Sequence, residues 1–408
     1  MNCRHCRAPL ELTLIDLGTA PPSNAYLTEA RLHAPEKWFP LRVLVCTSCW
    51  LAQTEDFTQA DELFDADYAY FSGFSSTWLA HAERYVRDMV ARFDLTTKSR
   101  VVEVAANDGY LLQYVAGLGI PCLGVEPTAS TAAAARAKGL EIVEEFFGTR
   151  TARALVERGI RADLTAANNV LAHVPDIGDF AAGFALLLQP AGVATFESPH
   201  LARMIAENQF DTIYHEHFSY LSLTAVQSIF AANGLAIFDV ELLPTHGGSL
   251  RVYAQRADSD RRTVEARVDE VLEGEARAGL LDAGAYRGFQ ARAERAKDDL
   301  LRFLLDAKRE KKRVAAYGAA AKGNTFLNYA GVRADLVPFV VDRNPAKQGK
   351  FLPGSRIPIV DEDCLRAEKP EYVLILPWNL RAEVMEQLAY VRAWGGRFVV
   401  AVPSLEVR

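Results

Sequence analysis

Val101-Val-Glu103-Val-Ala105-Ala106-Asn107-Asp108-Gly109-Tyr110 is the stretch on which the fold turns. The apolar run Val101 to Ala105 meets a tight polar turn, and the apolar-rich stretch Tyr110 to Ala116 follows. A strand, a turn and a helix are predicted. Such a turn offers backbone N–H groups and a helix N-terminus to a ligand at the carboxyl edge of a parallel sheet. A second run, Cys122 to Val125, leads into Gly124-Val125-Glu126-Pro127, where a carboxylate can accept the hydroxyl protons of a ribose. A dinucleotide fold calls for GxGxxG at the first turn, yet Ala105 and Ala106 stand where close pyrophosphate approach favours glycine. The bland alternative is an ordinary α/β turn around a buried Glu103.

Working outward, apolar strands alternate with Ala-rich helical stretches, the pattern of a parallel sheet covered on both faces. The predicted strands are Val101 to Ala105, Cys122 to Val125, Glu141 to Val143, Leu164 to Ala167, Val193 to Phe196, Leu235 to Val240 and Leu250 to Ala254. Helices over Thr128 to Lys138 and Ile177 to Leu188 fill two of the gaps. Apolar positions at Tyr286, Phe289, Ala293, Ala296, Leu300, Phe303 and Ala307 step by three and four, which predicts one long helix. The charge run Lys308 to Arg313 reads as its solvated end. Strands at Val314 to Gly318, Leu336 to Asp342, Tyr372 to Leu376 and Phe398 to Val402 then predict a second, smaller α/β domain.

The 408 residues suffice for two or three domains, and 45 Lys and Arg against 52 Asp and Glu leave a net charge of −7. That field opposes a nucleic-acid backbone. No stretch reaches the ~20 apolar residues of a membrane span. The start, MNCRHCRAPLELT, lacks the apolar region of a signal peptide, so the cytoplasm is the expected compartment. Cys3 and Cys6, then Cys46 and Cys49, form two CxxC pairs whose thiolates can share one tetrahedral Zn²⁺. With four protein ligands such a site is closed, hence structural. Redox dithiols or unrelated buried thiols are the alternative, and His5 reads as a bystander. Cys122 and Cys364 have no partner at metal spacing.

Asp211-Thr-Ile-Tyr214-His215-Glu216-His217-Phe-Ser-Tyr220 concentrates titratable groups beyond what a plain loop needs. A histidine near neutral pKa removes a proton, a carboxylate orients it, and a phenol donates to an oxyanion. His-Glu-His lacks the His-Glu-x-x-His spacing of a metalloprotease helix. Asn168-Asn169-Val-Leu-Ala-His173 and His246-Gly-Gly lie at further sheet-edge loops. Gly318 to Asn324, with small residues and Lys322, suits phosphate approach.

In order, CxxC…CxxC, Asp67-Tyr68-Ala-Tyr70-Phe71-Ser72, Glu103-x4-Asp108-Gly109, Gly124-Val-Glu126-Pro127, Asn168-Asn-Val-Leu-Ala-His173, Tyr214-His-Glu-His217 and His246-Gly-Gly-Ser-Leu-Arg251 resemble the zinc-containing, S-adenosylmethionine-dependent sugar C-methyltransferases. The likeness extends to Tyr317-Gly-Ala-Ala-Ala-Lys322-Gly-Asn324 and Asp342-Arg-Asn344-Pro-x-Lys347. The resemblance implies an α/β fold of three parts: a small zinc-binding lobe (1–70), a central Rossmann-like class I methyltransferase domain (71–255) and, after a helical linker (256–312), a C-terminal Rossmann-like domain (313–408). It implies methylation of an NDP-4-keto-deoxysugar, dTDP-linked by that likeness, at C-3, with no nucleic-acid or membrane partner. His217 would be the base, with Glu216 and Tyr214 assisting and His173 and Tyr68 near the sugar. Tyr70, Phe71, Glu103, Asn107, Asp108, Gly109, Glu126, Pro127, Asn168 and Asn169 would hold the cofactor. His246, Arg251, Lys322 and Asn324 would hold the substrate. The family's turn usually carries glycine where Ala105 stands. A methyltransferase of another small molecule, or a nicotinamide oxidoreductase with two Rossmann-like lobes, are the rival readings.

Overall fold

Val101–Val104, buried along its whole length, is the first strand (β1) of a parallel sheet in a computed structural model that describes residues 1–57 and 71–408. The other strands of that sheet are Cys122–Val125 (β2), Ile142–Val143 (β3), Ala162–Asn168 (β4), Leu188–Pro199 (β5), Leu235–Leu243 (β6) and Ser249–Arg256 (β7). Among the described residues the sheet has the order β6-β7-β5-β4-β1-β2-β3. β1 pairs in parallel with β2 and β4, β2 with β3, and β4 with β5, whereas β7 runs antiparallel to both β5 and β6. The carboxyl edge, where sheets of this kind bind ligands, is therefore built by the ends of β1, β2, β4 and β5.

Both faces are covered. The helix Ser76–Arg92 buries Trp78, Ala82, Tyr85, Val86 and Met89, and Ser75 caps it by accepting from the Trp78 amide. Those side chains join Leu111, Leu112 and Val115 in one apolar cluster. On the sheet Phe147, Phe184, Phe196 and Phe230 form a ladder with successive ring centroids 4.7 Å apart. Each such ring contributes roughly 1.5–3 kcal/mol by leaving water.

The chain divides into two compact units. The first comprises residues 1–11, 45–202 and 218–282, and contains β1 to β7. The second comprises 12–44, 203–217 and 283–408. Its sheet strands are Val314–Tyr317 (β8), Val340–Val341 (β9), Ile359–Val360 (β10), Tyr372–Ile375 (β11), Arg397–Val400 (β12) and Glu406–Val407 (β13), in the order β10-β9-β8-β11-β12-β13. The first five are parallel neighbours and β13 is antiparallel to β12. The third-second-first-fourth-fifth order of β3-β2-β1-β4-β5 thus recurs.

The single long helix expected from Tyr286 onward is two helices, Ala283–Arg287 and Phe289–Arg309, interrupted at Gly288. Glycine is a poor helix residue, and Tyr286 is buried from the shorter helix. Leu304, rather than Phe303, is the buried position after Leu300; Phe303 is half-buried with its ring 5.0 Å from Tyr372.

The turn after β1 is strained. Ala105 (φ 59°), Asn107 (φ 49°) and Gly109 (φ 75°) all lie in left-handed backbone. At Gly109 a Cβ would also fall 2.2 Å from Leu140 Cδ1, and at Gly124 one would fall 2.7 Å from the Ala106 Cβ. The Ala105 amide donates to the Val125 carbonyl at 2.8 Å, so the conformation is fixed by the neighbouring strand. A left-handed L-residue costs about 1–2 kcal/mol, of which the greater unfolded-state freedom of glycine cancels roughly 0.5–1. Ala105→Gly should therefore raise stability by about 0.5–1 kcal/mol in denaturant titration. An unchanged or lower midpoint would show that Ala105 is not strained.

Candidate functional site

In the first unit each CxxC closes a matching backbone loop: the Arg7 amide donates to the Cys3 carbonyl at 3.0 Å and the Trp50 amide to the Cys46 carbonyl at 2.8 Å. Arg7 (φ 65°) and Trp50 (φ 60°) both turn left-handed just after the second cysteine of their pair. The four sulfurs of Cys3, Cys6, Cys46 and Cys49 lie within 4.8 Å of one another, with Cys3–Cys49 at 3.6 Å and Cys6–Cys46 at 3.4 Å. Four Zn–S bonds of about 2.3 Å at tetrahedral angles give sulfur separations of about 3.8 Å, so the cluster fits zinc. Gln53 donates to the Cys3 sulfur at 3.3 Å and is itself held by the Arg4 amide at 2.8 Å. His5 bonds Ser228 at 3.2 Å and stays outside the cluster. The segment Leu12–Leu44 between the two pairs belongs to the second unit.

The turn after β1 is held by one carboxylate. Glu126, buried just past β2, accepts from the Asn107 amide and from the Thr128 amide, both at 2.9 Å. Asn107 Oδ1 in turn accepts from the Ser72 amide at 2.9 Å, and Asp108 Oδ2 from the Gly73 amide at 3.2 Å. Lys138 Nζ donates to the Asp108 carbonyl at 2.6 Å and lies 3.4 Å from its carboxylate. Beneath the turn Glu103 is wholly buried, and burial, with Glu126 and Asp108 adding negative charge nearby, pushes its carboxyl well above the usual range. Among the described residues Glu103 Oε1 and Oε2, Asp108 Oδ1 and Asn168 Oδ1 meet no hydrogen-bond partner. Acceptors left open around this turn suit a ligand carrying hydroxyl and ammonium donors. Pro127 follows Glu126 directly, and Phe71 is half-buried beside Ser72. Tyr68 and Tyr70 fall outside the described residues.

Further along the same edge stands Glu197 near the end of β5, which the sequence reading missed. Its carboxylate faces His81 Nε2 at 2.9 Å and accepts from Arg251 Nη2 at 3.0 Å and Thr245 Oγ1 at 2.8 Å. Burial alone would raise its pKa, but the His81 hydrogen bond and the Arg251 charge prevail and hold it at about 2. Its own carbonyl accepts from the Asn169 amide at 2.6 Å. Asn169 (φ 54°) and His246 (φ 54°) are both left-handed and meet through Asn169 Nδ2 and His246 Nε2 at 3.1 Å. Trp78 stacks on His81 at 4.8 Å, with His246 at 5.0 Å and Tyr110 at 5.8 Å. Arg251 also reaches Glu241 at 3.3 Å and lies over the Tyr85 ring at 4.9 Å, so its guanidinium is held within the protein. The half-buried His173 ends a 3-10 turn, Leu171–His173, that follows β4.

Tyr214, Glu216, His217, Lys322 and Asn324 belong to the second unit. The helix Ala321–Tyr329 follows β8, and Thr325 Oγ1 donates to the Ile213 carbonyl at 2.9 Å, tying down the Tyr214–His217 segment. His217 is buried; its Nδ1 lies 2.9 Å from the Thr212 carbonyl and its ring 4.0 Å from the Tyr214 ring. A carbonyl only accepts, so Nδ1 carries the proton and Nε2 the lone pair. His215 Nε2 donates to the Pro40 carbonyl at 3.2 Å. Glu216 accepts from Asn24 Nδ2 at 2.6 Å; burial pushes its carboxyl up to about 7, with Asn24 and the Lys347 charge acting the other way. Asp211 accepts from Trp378 Nε1 at 2.7 Å, and burial raises it to about 6 against the pull of Lys322. Lys322 Nζ donates to Asn379 at 2.8 Å and lies 4.6 Å from the Trp378 ring centre. Asn324 is buried, and among the described residues neither side-chain atom has a hydrogen-bond partner.

A four-thiolate zinc site contributes folding energy outright. One zinc per chain should be found by elemental analysis, and Cys49→Ser or chelation should destabilise the first unit, read as lost amide protection over residues 1–11 and 45–54. Full protection without metal would refute a structural role.

Three family models match the chain: "Putative zinc binding domain" over residues 3–64, "Methyltransferase domain" over 78–240, and "C-methyltransferase C-terminal domain" over 244–403. The chain is 34% identical over 406 residues to the C-methyltransferase NovU of Streptomyces niveus, covering all of this chain and 96% of that one. A ubiquinone biosynthesis O-methyltransferase of Rhodopseudomonas palustris is 28% identical over 151 residues, 31% of this chain and 59% of its own. Among solved structures, magnesium protoporphyrin IX methyltransferase of Synechocystis with bound SAM aligns at a TM-score of 0.36 and 14% identity, over 50% of this chain and 100% of that one. The assignment rests on the sequence matches. No helix among the described residues is long and apolar enough to cross a membrane. The chain belongs to the C-methyltransferase family, an α/β enzyme with S-adenosylmethionine as its cofactor and zinc in its four-cysteine cluster.

Proposed function

We propose that the enzyme methylates the carbon beside the ketone, C-3, of an NDP-linked 4-keto-deoxysugar, with His217 as the base. The observation that carries this reading is the Nδ1 contact of His217 with the Thr212 carbonyl, which leaves the lone pair on Nε2. A ketone acidifies its neighbouring C–H, and a buried imidazole with one fixed tautomer is suited to take that proton. The Tyr214 ring against His217 limits rotation of the imidazole. Electron density from the broken C–H bond moves into the ketone, giving an enolate whose carbon is the nucleophile. S-adenosylmethionine, when bound, supplies a methyl group on a positively charged sulfur. The turn Ala105–Gly109 with Glu126 and Asp108 binds and orients that donor, and Glu216, near neutrality through burial, assists at the sugar. Lys322 and Asn324, at the first turn of the helix after β8, take the diphosphate.

A positioned general base contributes about 10²–10⁴-fold. His217→Asn should therefore lower methylation by about that factor and abolish C–H exchange at the carbon beside the ketone in D₂O, with S-adenosylmethionine affinity unchanged. Mass spectrometry of a small panel of NDP-4-keto-6-deoxysugars reads both. Full activity in this variant would remove His217 from the mechanism, and neither methylation nor exchange of any sugar in the panel by the unaltered enzyme would remove the substrate class.

Lys322→Ala separates the diphosphate assignment from the chemistry. Loss of one charge-assisted contact, about 1.5–3 kcal/mol, predicts a KM for the sugar nucleotide roughly ten- to a hundredfold higher. An unchanged KM would assign Lys322 to packing on Trp378 instead.

A further inference from the structure

We propose that Glu103 reads the charge of the cofactor: it holds a proton while the turn above it is empty, releases that proton when a cationic donor binds, and so favours S-adenosylmethionine over its demethylated product. The grounds are geometric. Glu103 is 0% exposed, and neither carboxylate oxygen meets a donor at hydrogen-bonding geometry among the described residues. An ionised carboxylate in that position has neither water nor a cation to replace water, which favours the neutral acid.

The groups that face it sharpen the point. From the turn come Asp108 and Tyr110, from β2 Glu126 and Cys122, and from the helix Ser76–Arg92 comes Tyr85. Two of these are acids, and Lys138 pairs with Asp108. Arg251 acts on Tyr85, while its guanidinium is taken up by Glu197 and Glu241. Burial and the two carboxylates outweigh the Tyr110 hydroxyl and the Leu112 amide, which favour the charged form of Glu103. A cation is what the cluster lacks.

S-adenosylmethionine, with a sulfonium, an ammonium and a carboxylate, carries a net charge of about +1, and its product after methyl loss about zero. Binding the donor supplies the missing cation, and the Glu103 proton goes to solvent. After transfer the sulfonium is gone and Glu103 takes one proton back. Methylation of a C–H carbon releases one proton, so the cycle balances with no further reactant. Glu103 thereby weakens the hold on the spent cofactor without moving the turn. In linkage terms, donor affinity rises with pH by at most tenfold per unit while the proton is being displaced, and product affinity stays flat.

The inference rests on the turn being the cofactor's seat and is independent of the sugar. Titration calorimetry of the zinc-replete enzyme between pH 6 and 8, in buffers of different ionisation enthalpy, counts protons directly. Close to one proton released per S-adenosylmethionine and close to none per S-adenosylhomocysteine is expected. Glu103→Gln, the neutral isostere of the protonated acid, should abolish the release and shrink the preference for donor over product about tenfold or more. Equal proton counts for the two ligands, or release retained in Glu103→Gln, would overturn the proposal. Hydrogen exchange on the same samples checks the seat: donor binding that leaves the Asn107–Gly109 amides unprotected also overturns it, and by a different signal.

Discussion

The carboxylate of Glu126, accepting two backbone amides from opposite sides, is the interaction on which the catalytic architecture hangs. The chain leaves β1 through left-handed residues that would not hold that shape alone. Hydrogen bonds to a charged acceptor contribute roughly 1.5–3 kcal/mol each, enough to offset strain of about 1 kcal/mol at Ala105 and Asn107. The second sheet repeats the device. Asp342, just past β9, accepts the Ala319 amide from the loop after β8 and the Asn344 amide from its own loop, both at 2.8 Å. In each case an acid after the topologically second strand ties down the loop that leaves the first. The same strand order imposes the same need, since that loop crosses the carboxyl edge and its amides must find acceptors there.

Two buried carboxylates in one sheet show how partners, rather than burial, decide ionisation. Glu103 and Glu197 are both fully buried. Glu197 meets His81, Arg251 and Thr245 and is held below the usual carboxylate range, whereas burial and the nearby acids Glu126 and Asp108 push Glu103 well above it. Glu197 is a rigid anchor, because removing it would leave the buried Arg251 with only the more exposed Glu241 as an ionic partner. Through Thr245 and the Asn169 amide, Glu197 also fixes two strained loops of the edge. Glu103 has no cationic partner to lose, and under the proposed reading its ionisation follows the ligand.

Much of this was legible in the sequence wherever a local rule applied. Strand, turn and acid at Val101 to Gly109 and at Glu126 follow from periodicity and position, and the cysteine pairs from spacing alone. Glu197 obeyed the same rule of an acid closing a strand, in Phe196-Glu197-Ser198-Pro199, and could have been found by it. His81 and Trp78 could not, because on the sequence they are ordinary positions of an amphipathic helix, and their partners Glu197 and His246 lie more than a hundred residues away. The break at Gly288 was hidden by apolar steps that continue unbroken across it. The seating of Phe303 and Leu304 depended on which of two adjacent apolar residues packs, which helical spacing leaves open.

The two residues of the Glu216-His217 pair divide their work in a way their adjacency conceals. A carboxylate on Nδ1 would make the imidazole more basic and less ready to give its proton up, whereas a carbonyl fixes the tautomer without adding a charge. His217 has the carbonyl of Thr212, and Glu216 has Asn24, with Lys347 acting on its charge. Under the proposed reading that arrangement suits a base which must both take a proton from carbon and return it to solvent each cycle. Glu216, held near neutrality by burial, can then donate to or accept from a sugar hydroxyl without changing the state of the base beside it. On that reading the chemistry asks for proton transfer at one carbon and loss of charge at one sulfur, and separate groups answer the two demands: a tautomer-fixed histidine the first and a buried acid without a cationic partner the second.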